Sequence, residues 1–182
     1  RSNTVVGNKS NPESGIVLYW RSAASPEIVG NVVEQGAGYG IRVENDSRTS
    51  VALVKGNRVV SNQGVGLRVY GKVLPIVSQN VFESNANGVE LIYTDLNTSG
   101  QFNVTGNAIR KSAGYGVRIS EQAQPTLTGN DLDANGGYCV DKQTSKAIDA
   151  RNNWWGVGTS AEMANGSNPK QITKIFDRYD DA

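Results

Sequence analysis

Val54-Lys55-Gly56-Asn57-Arg58-Val59, followed by Gly66-Leu67-Arg68-Val69, is the stretch that decides the fold. Its skeleton is an apolar residue three before an Asn, another two after it, and a Gly-apolar-x-apolar string about ten after it. One unit upstream, Ile28-Val29-Gly30-Asn31-Val32-Val33 and Gly40-Ile41-Arg42-Val43 repeat that skeleton. Taken along the whole chain, the Asn series is Asn8, Asn31, Asn57, Asn80, Asn107, Asn130 and Asn153, with gaps of 23, 26, 23, 27, 23 and 23 residues. A period in the twenties means one small supersecondary unit stacked many times, so that each position becomes a column.

Three columns are apolar. Val5, Ile28, Val54, Val77, Val104 and Leu127 stand three before the Asn, with Ala150 in the last unit. Val33, Val59, Phe82, Ile109 and Leu132 stand two after it. The third column is the alternating string, which returns at Gly15, Gly40, Gly66, Gly88 and Gly116. Alternation of period two marks short strands with one buried face. Each unit is thus expected to give three short strands separated by turns, and it holds too few apolar residues for a core of its own. Helix fares badly, because no stretch before residue 160 keeps an apolar i, i+3, i+4, i+7 pattern and 21 Gly interrupt the windows. An antiparallel sandwich has no reason to hold columns in register, whereas stacked coils require it, since each strand pairs with its equivalent in the next coil. The Asn column fits a turn whose amides hydrogen-bond along the axis, Asn being both donor and acceptor. The Gly before the third strand suits a positive-φ bend.

These residues resemble the right-handed parallel β-helix repeats of the pectin-lyase-like superfamily, from about residue 3 to residue 155. The carboxyl end, Asn152-Asn153-Trp154-Trp155-Gly156 and then Ile172-Thr173-Lys174-Ile175-Phe176-Asp177, is similar to the end of many bacterial secreted β-helix proteins. The resemblance implies an all-β solenoid of about seven coils over residues 1–155 and a C-terminal capping segment over 156–182 of the same domain. It also implies an extracellular or cell-surface location. Because that superfamily spans lyases, tailspikes, adhesin stalks and proteins without activity, fold alone does not give function.

Composition narrows the classes. Lys plus Arg is 18 and Asp plus Glu 17, so no net field favours nucleic acid. No apolar run approaches the ~20 residues of a membrane span, so membrane insertion is not expected. Cys139 is the only cysteine and there is no His, which removes an internal disulfide, Ser-His-Asp triads and histidine-ligated metals. Cys139 reads as a small residue in the turn before Val140. Arg1 leads almost at once into repeat residues, so the first coil is expected to stack on an upstream part of the polypeptide or on another chain. Trp154 and Trp155 are expected to lie over the last coil, with a short helix within Ser160 to Ala164 and a strand near Ile172 to Phe176.

Chemistry must sit on outward columns and loops. Between the inward residues of the third strand stand Val17, Arg42, Arg68, Glu90, Arg118 and Asp141, one per coil. In pectate lyases, by the resemblance, substrate lies along one outer face with an Arg or Lys base and calcium held by Asp. No position here matches those motifs residue by residue, and none is singled out as catalytic. Opposite charges in such a row also keep stacked neighbours from repelling. Tyr19 and Tyr70 follow the same strand by one outward position and, with the charged row, form a candidate polysaccharide-binding face, since sugar rings stack on aromatic faces. Tyr39, Tyr115 and Tyr138 precede the strand.

The gaps of 26 and 27 place insertions at Asn45 to Ser50 and Tyr93 to Gly100. The second carries Asp95 and Asn97, spaced like the start of a calcium loop, but its twelfth position is Gly106, which excludes an EF-hand and leaves a carbonyl-assisted calcium site. Asp131-Leu132-Asp133-Ala134-Asn135 looks similar until Leu132 is placed in the core and Asn135 is matched to the turn residues Asn62 and Asn85. Two function classes follow: a noncatalytic module, a rigid stalk or scaffold of a secreted or surface protein with polysaccharide as partner, or part of a calcium-dependent polysaccharide lyase acting on an acidic glycan. Even charge, short loops and the lack of His favour the first, since a lyase needs a walled cleft and converging groups.

Overall fold

The computed structural model describes residues 1–8, 14–166 and 170–177, and the rest of the capping segment lies outside them. The columns become ladders of parallel strands. Just after each Asn runs a three-residue strand, and β1 (Thr4–Val6), β4 (Val32–Glu34), β6 (Arg58–Val60), β8 (Val81–Glu83) and β11 (Ala108–Arg110) pair in that order. Single bridges extend this ladder from Ala108 to Asp131 and on to Trp154. The expected seven coils are therefore corrected to five with a strand here and two with one bridged residue. At Asp131 the cause is local, since its carboxylate accepts the Asp133 N–H and bends the chain into an Asx turn that competes with a ladder.

The other two columns share a ten-stranded parallel sheet. After the Gly come β2 (Ser14–Tyr19), the first parts of β5 (Tyr39–Lys55) and β7 (Val65–Ser78), β9 (Asn87–Tyr93), β12 (Val117–Glu121), β14 (Val140–Lys142) and β15 (Ile175–Phe176). Before the Asn come β3 (Glu27–Val29), the second parts of β5 and β7, β10 (Gly100–Thr105) and β13 (Ala123–Thr128). Three separate strands per coil is thus corrected for two coils, where two strands run through a corner as single elements of 17 and 14 residues. Gly71 makes the corner, with φ of +94° and no room for a Cβ beside the Asn45 carbonyl. The first insertion is the register shift between Asn45 and Ser50.

Two further readings are corrected. Val5 pairs with Val33, so Asn3, not Asn8, heads the Asn column, and Val5 belongs two after the Asn. A longer first coil, with 12 residues from Asn3 to Gly15 against nine from Asn31 to Gly40, had masked this. The Gly before the third strand does not have positive φ. It is needed for lack of a side chain: a Cβ on Gly66 would lie 2.8 Å from both Asn85 Nδ2 and the Gly88 carbonyl oxygen. Positive φ occurs instead immediately before each Asn, at Gly30, Gly56, Gln79, Gly106, Gly129 and Asn152, and four after it, at Gln35, Ser61, Ser84, Lys111 and Ala134. A left-handed residue thus sharply bends the chain at each end of the short strand.

The core is the interior of the coil. Val54, Val77, Val104, Leu127, Val33, Val59, Phe82, Ile109 and Leu132 are fully enclosed, as are Ile41, Val43, Leu67, Val69, Val89, Leu91, Val117 and Ile119. Each contributes about 1.5–3 kcal/mol by leaving water. Two amide ladders run beside it. Asn3, Asn31, Asn57, Asn80, Asn107 and Asn130 each donate their side-chain N–H to the next Asn Oδ1 at 2.9–3.0 Å, and the ladder ends on Asn153. From Asn57 onward the same side chains also donate to the carbonyl of the inward residue one coil back. The second ladder includes Asn62, Asn85 and Asn135.

At the carboxyl end, α1 (Val157–Ala164) begins three residues earlier than expected, and of the expected strand Ile175–Phe176 joins the sheet beside Val140 and Asp141, while Ile172 makes a single antiparallel bridge to Ile175. Trp155 is buried in the core cluster, while Trp154 is half exposed and extends the ladder.

Candidate functional site

The parallel register sets the charged row. Val17 faces Arg42, Arg42 faces Arg68, Arg68 faces Glu90, Glu90 faces Arg118, and Arg118 faces Asp141. Since inward neighbours on each strand fill the core, these side chains share one outer face. Arg42 and Arg68 are like charges side by side, and each turns to a different carboxylate. Arg42 makes a fork with Glu44 on its own strand, Nε at 2.7 Å and Nη2 at 3.0 Å. Arg68 lies 3.3 Å from Glu90 and donates to the Tyr39 hydroxyl at 2.9 Å. Arg118 donates through Nε to Asp141 at 2.7 Å, and Asp141 is buried.

Tyrosines clamp the arginines. The Arg118 guanidinium lies 4.2 Å from the centre of the Tyr115 ring, and Arg68 lies 5.5 Å from Tyr39 and 5.6 Å from Tyr70. Such cation–π contacts contribute about 0.5–2 kcal/mol. Tyr19 and Tyr70 stand in one register row, Tyr19 beside Glu44 and Glu44 beside Tyr70, and both rings are exposed. Burial above all, with the nearby Glu90 charge, pushes the Tyr115 hydroxyl well above its ordinary range, so it is no base. Burial works against the Arg118 charge, but the hydrogen bond and attraction of Asp141 outweigh it and hold the guanidinium firmly protonated. Glu44 and the Tyr115–Arg118 contact are the parts of this face that sequence reading missed. The signal was the i, i+2 spacing of Arg42 and Glu44, which puts both on one side of a strand.

The Asp95 and Asn97 pair joins the two insertions. Asp95 is buried, its Oδ1 accepting the Asn97 backbone N–H and its Oδ2 the Thr49 hydroxyl, both at 2.9 Å. These bonds, the Asn97 N–H first, hold its carboxyl below the usual carboxylate range, with Lys72 adding attraction. Asn45 caps the first insertion, its side-chain oxygen accepting the Ser47 and Arg48 N–H groups and its nitrogen donating to Ser50. Cys139 lies in the core, where burial pushes its thiol up. It occupies the last coil's equivalent of Gly66 and Gly116.

A family model described as "Periplasmic copper-binding protein (NosD)" matches residues 1–168. No curated protein and no solved structure matches the chain. Copper sites are built from thiolate, thioether and imidazole ligands. This chain has no His, one Cys and one Met. Cys139 lines a cavity with Asp133, Thr159 and Lys174, while Met163 lines another with Ile148, Ala150 and Ile175, Trp155 standing in the wall of both. Among the described residues no three of His, Cys, Asp or Glu converge as a metal site. The side chains present do not fit a copper ion. Nor is any helix, among the described residues, long and apolar enough to cross a membrane. What the model match and the structure share is the repeat itself: among the described residues, columns that become stacked parallel strands and bridges as far as Trp154. The chain belongs to the NosD family of right-handed parallel β-helix proteins.

Proposed function

We propose that the chain is a noncatalytic β-helix module of the cell envelope, a rigid element that meets polysaccharide along its charged and tyrosine-bearing face. The observation that carries this reading is the internal pairing of the row: Glu44, Glu90 and Asp141 are each held by an arginine of the same face. Elimination chemistry needs a base free to take a proton, ideally one whose pKa lies near the working pH. Here Arg42 is engaged by Glu44 and Arg68 by Glu90 and Tyr39, while Asp141 holds the Arg118 guanidinium protonated and Tyr115 holds its proton. The same pairing suits binding, because a guanidinium has five N–H donors and Arg118 spends one on Asp141 while its side chain stays 40% exposed. Exposed Tyr19 and Tyr70 add ring faces on which sugars stack. The family's periplasmic description supports the envelope location.

The test is passage of the purified chain over immobilised polyuronate, with and without calcium, while ultraviolet absorbance is followed for unsaturated products. Retention without product is the expected result, lost when Arg42, Arg68 and Arg118 are together replaced by Ala. Growth of absorbance would overturn the noncatalytic reading. Absence of retention would remove polysaccharide from this face.

A further inference from the structure

The face next to the charged row, beyond the corner at Asn45 and Gly71, carries a groove of about 430 Å³. Its floor is the outer side of β10 and β13. Alternation there sends Phe102, Val104, Ala123, Pro125 and Leu127 inward and leaves Gln101, Asn103, Gln124 and Thr126 outward. Gln101 faces Gln124, Asn103 faces Thr126, and Thr126 is bridged to Asp149, which with Ala147 forms the far wall. The result is a lattice of three carboxamides and a hydroxyl, spaced about 4.8 Å across strands and about 6.6 Å along them.

What sets this lattice apart is that its groups are unspent. The buried ladder asparagines use their side-chain amides on one another and on backbone carbonyls. Among the described residues, the side chains of Gln101, Asn103, Gln124 and Thr126 make no hydrogen bond within the protein, although they stand together in a concave site. The groove is also electrically quiet. Its one carboxylate, Asp149, is held in a fork by Arg151, at 2.9 Å to Oδ1 and 2.7 Å to Oδ2.

We propose that this groove binds a neutral, hydroxyl-rich glycan, as a second site distinct from the charged row. A carboxamide presents N–H donors and a carbonyl acceptor side by side, and so matches vicinal sugar hydroxyls, each of which both donates and accepts. An anionic ligand would meet amide oxygens and Asp149 with no unpaired cation to offset them. An extended peptide would seek the unpaired backbone of a sheet edge, whereas these groups stand on a sheet face. The same face continues over the two preceding coils as an aliphatic patch, Val51 beside Leu74 and Leu53 beside Ile76, with Ile76 next to Asn103. That patch supplies a surface for the C–H side of a sugar ring. The groove is of the size that holds a small ligand, about 300–1,000 Å³, so it takes a short run of rings.

The experiment uses the whole chain against immobilised neutral oligosaccharides (β-glucan, mannan, galactan and chitin oligomers) beside polyuronates, followed by calorimetric titration of the strongest neutral oligomer. Binding is expected to weaken at least about tenfold in the Gln101→Ala, Asn103→Ala, Gln124→Ala variant. The melting temperature should hold, because these side chains are outside the core. Binding by the Arg42→Ala, Arg68→Ala, Arg118→Ala variant should be unchanged, so failure of the groove and failure of the charged face are separately visible. A panel with no neutral glycan bound would overturn the proposal, as would neutral binding that survives the triple amide variant. Retention of an extended peptide alone would assign the groove to a polypeptide instead and overturn it equally.

Discussion

The second amide ladder has one broken rung, and that rung shows how much one side chain contributes. Five residues after the column Asn stand Asn62, Asn85 and Asn135, but the coil between Asn85 and Asn135 has Ser112. Asn62 donates to Asn85 at 2.9 Å. Ser112 is buried, and its backbone N–H reaches Asn135, yet its hydroxyl has no partner. Ser112→Asn should restore the run, its new carboxamide accepting from Asn85 and donating to Asn135. The gain is about 1–2 kcal/mol, since two hydrogen bonds form and an orphaned hydroxyl disappears. Thermal unfolding should move up by a few degrees, about 2–4 °C per kcal/mol at this size. An unchanged or lower midpoint would mean that the space over Gly88 does not admit the longer side chain. The columns that make this argument were plain in the sequence because a solenoid forces like residues onto like. The register of Asn3 was not, because the longer first coil hid it behind Asn8.

At the scale of elements, the two insertions act together although a whole coil separates them. Their positions were legible as gaps of 26 and 27 residues, but no spacing reveals that the Thr49 hydroxyl reaches Asp95. That contact depends on Gly71 turning the corner of the intervening coil tightly enough for the loops to meet. Because the folded state holds the Asp95 carboxyl below its ordinary value of 3.8, its contribution is complete above that value. It is lost as pH falls through the lowered value. Asp95→Asn should therefore lower the melting temperature at pH about 7 and converge with the parent chain at pH about 2. Melting curves at the two pH values decide this. An equal deficit at both would show that shape, not charge, holds the loops. The amide groove between β10 and β13 was equally hidden, since alternating polar residues on a strand look the same whether they face open water or a cleft.

At the scale of the molecule, the fold was readable because a period needs no particular residue to survive, only the column type. A metal site is the opposite case, since it depends on a few exact side chains being close together. Membership in a family described as copper-binding therefore does not carry a copper site into this chain. Its soft ligands are Cys139 and Met163, lining separate cavities around Trp155, and it has no imidazole at all. A ligand that binds the folded state at 100 times its Kd stabilises it by about 2.7 kcal/mol, which any melting experiment registers. The metal-free chain, melted with Cu(I) under anaerobic conditions and with Cu(II) in air, should show no rise in midpoint. Equilibrium dialysis should leave no stoichiometric copper on it. Cys139→Ser separates the outcomes: one bound Cu(I) that vanishes in this variant would mean that the Trp155 wall opens and lets thiol and thioether meet. Copper retained by the variant would place the site on oxygen and amide ligands, and either result would overturn the conclusion that these side chains do not fit copper.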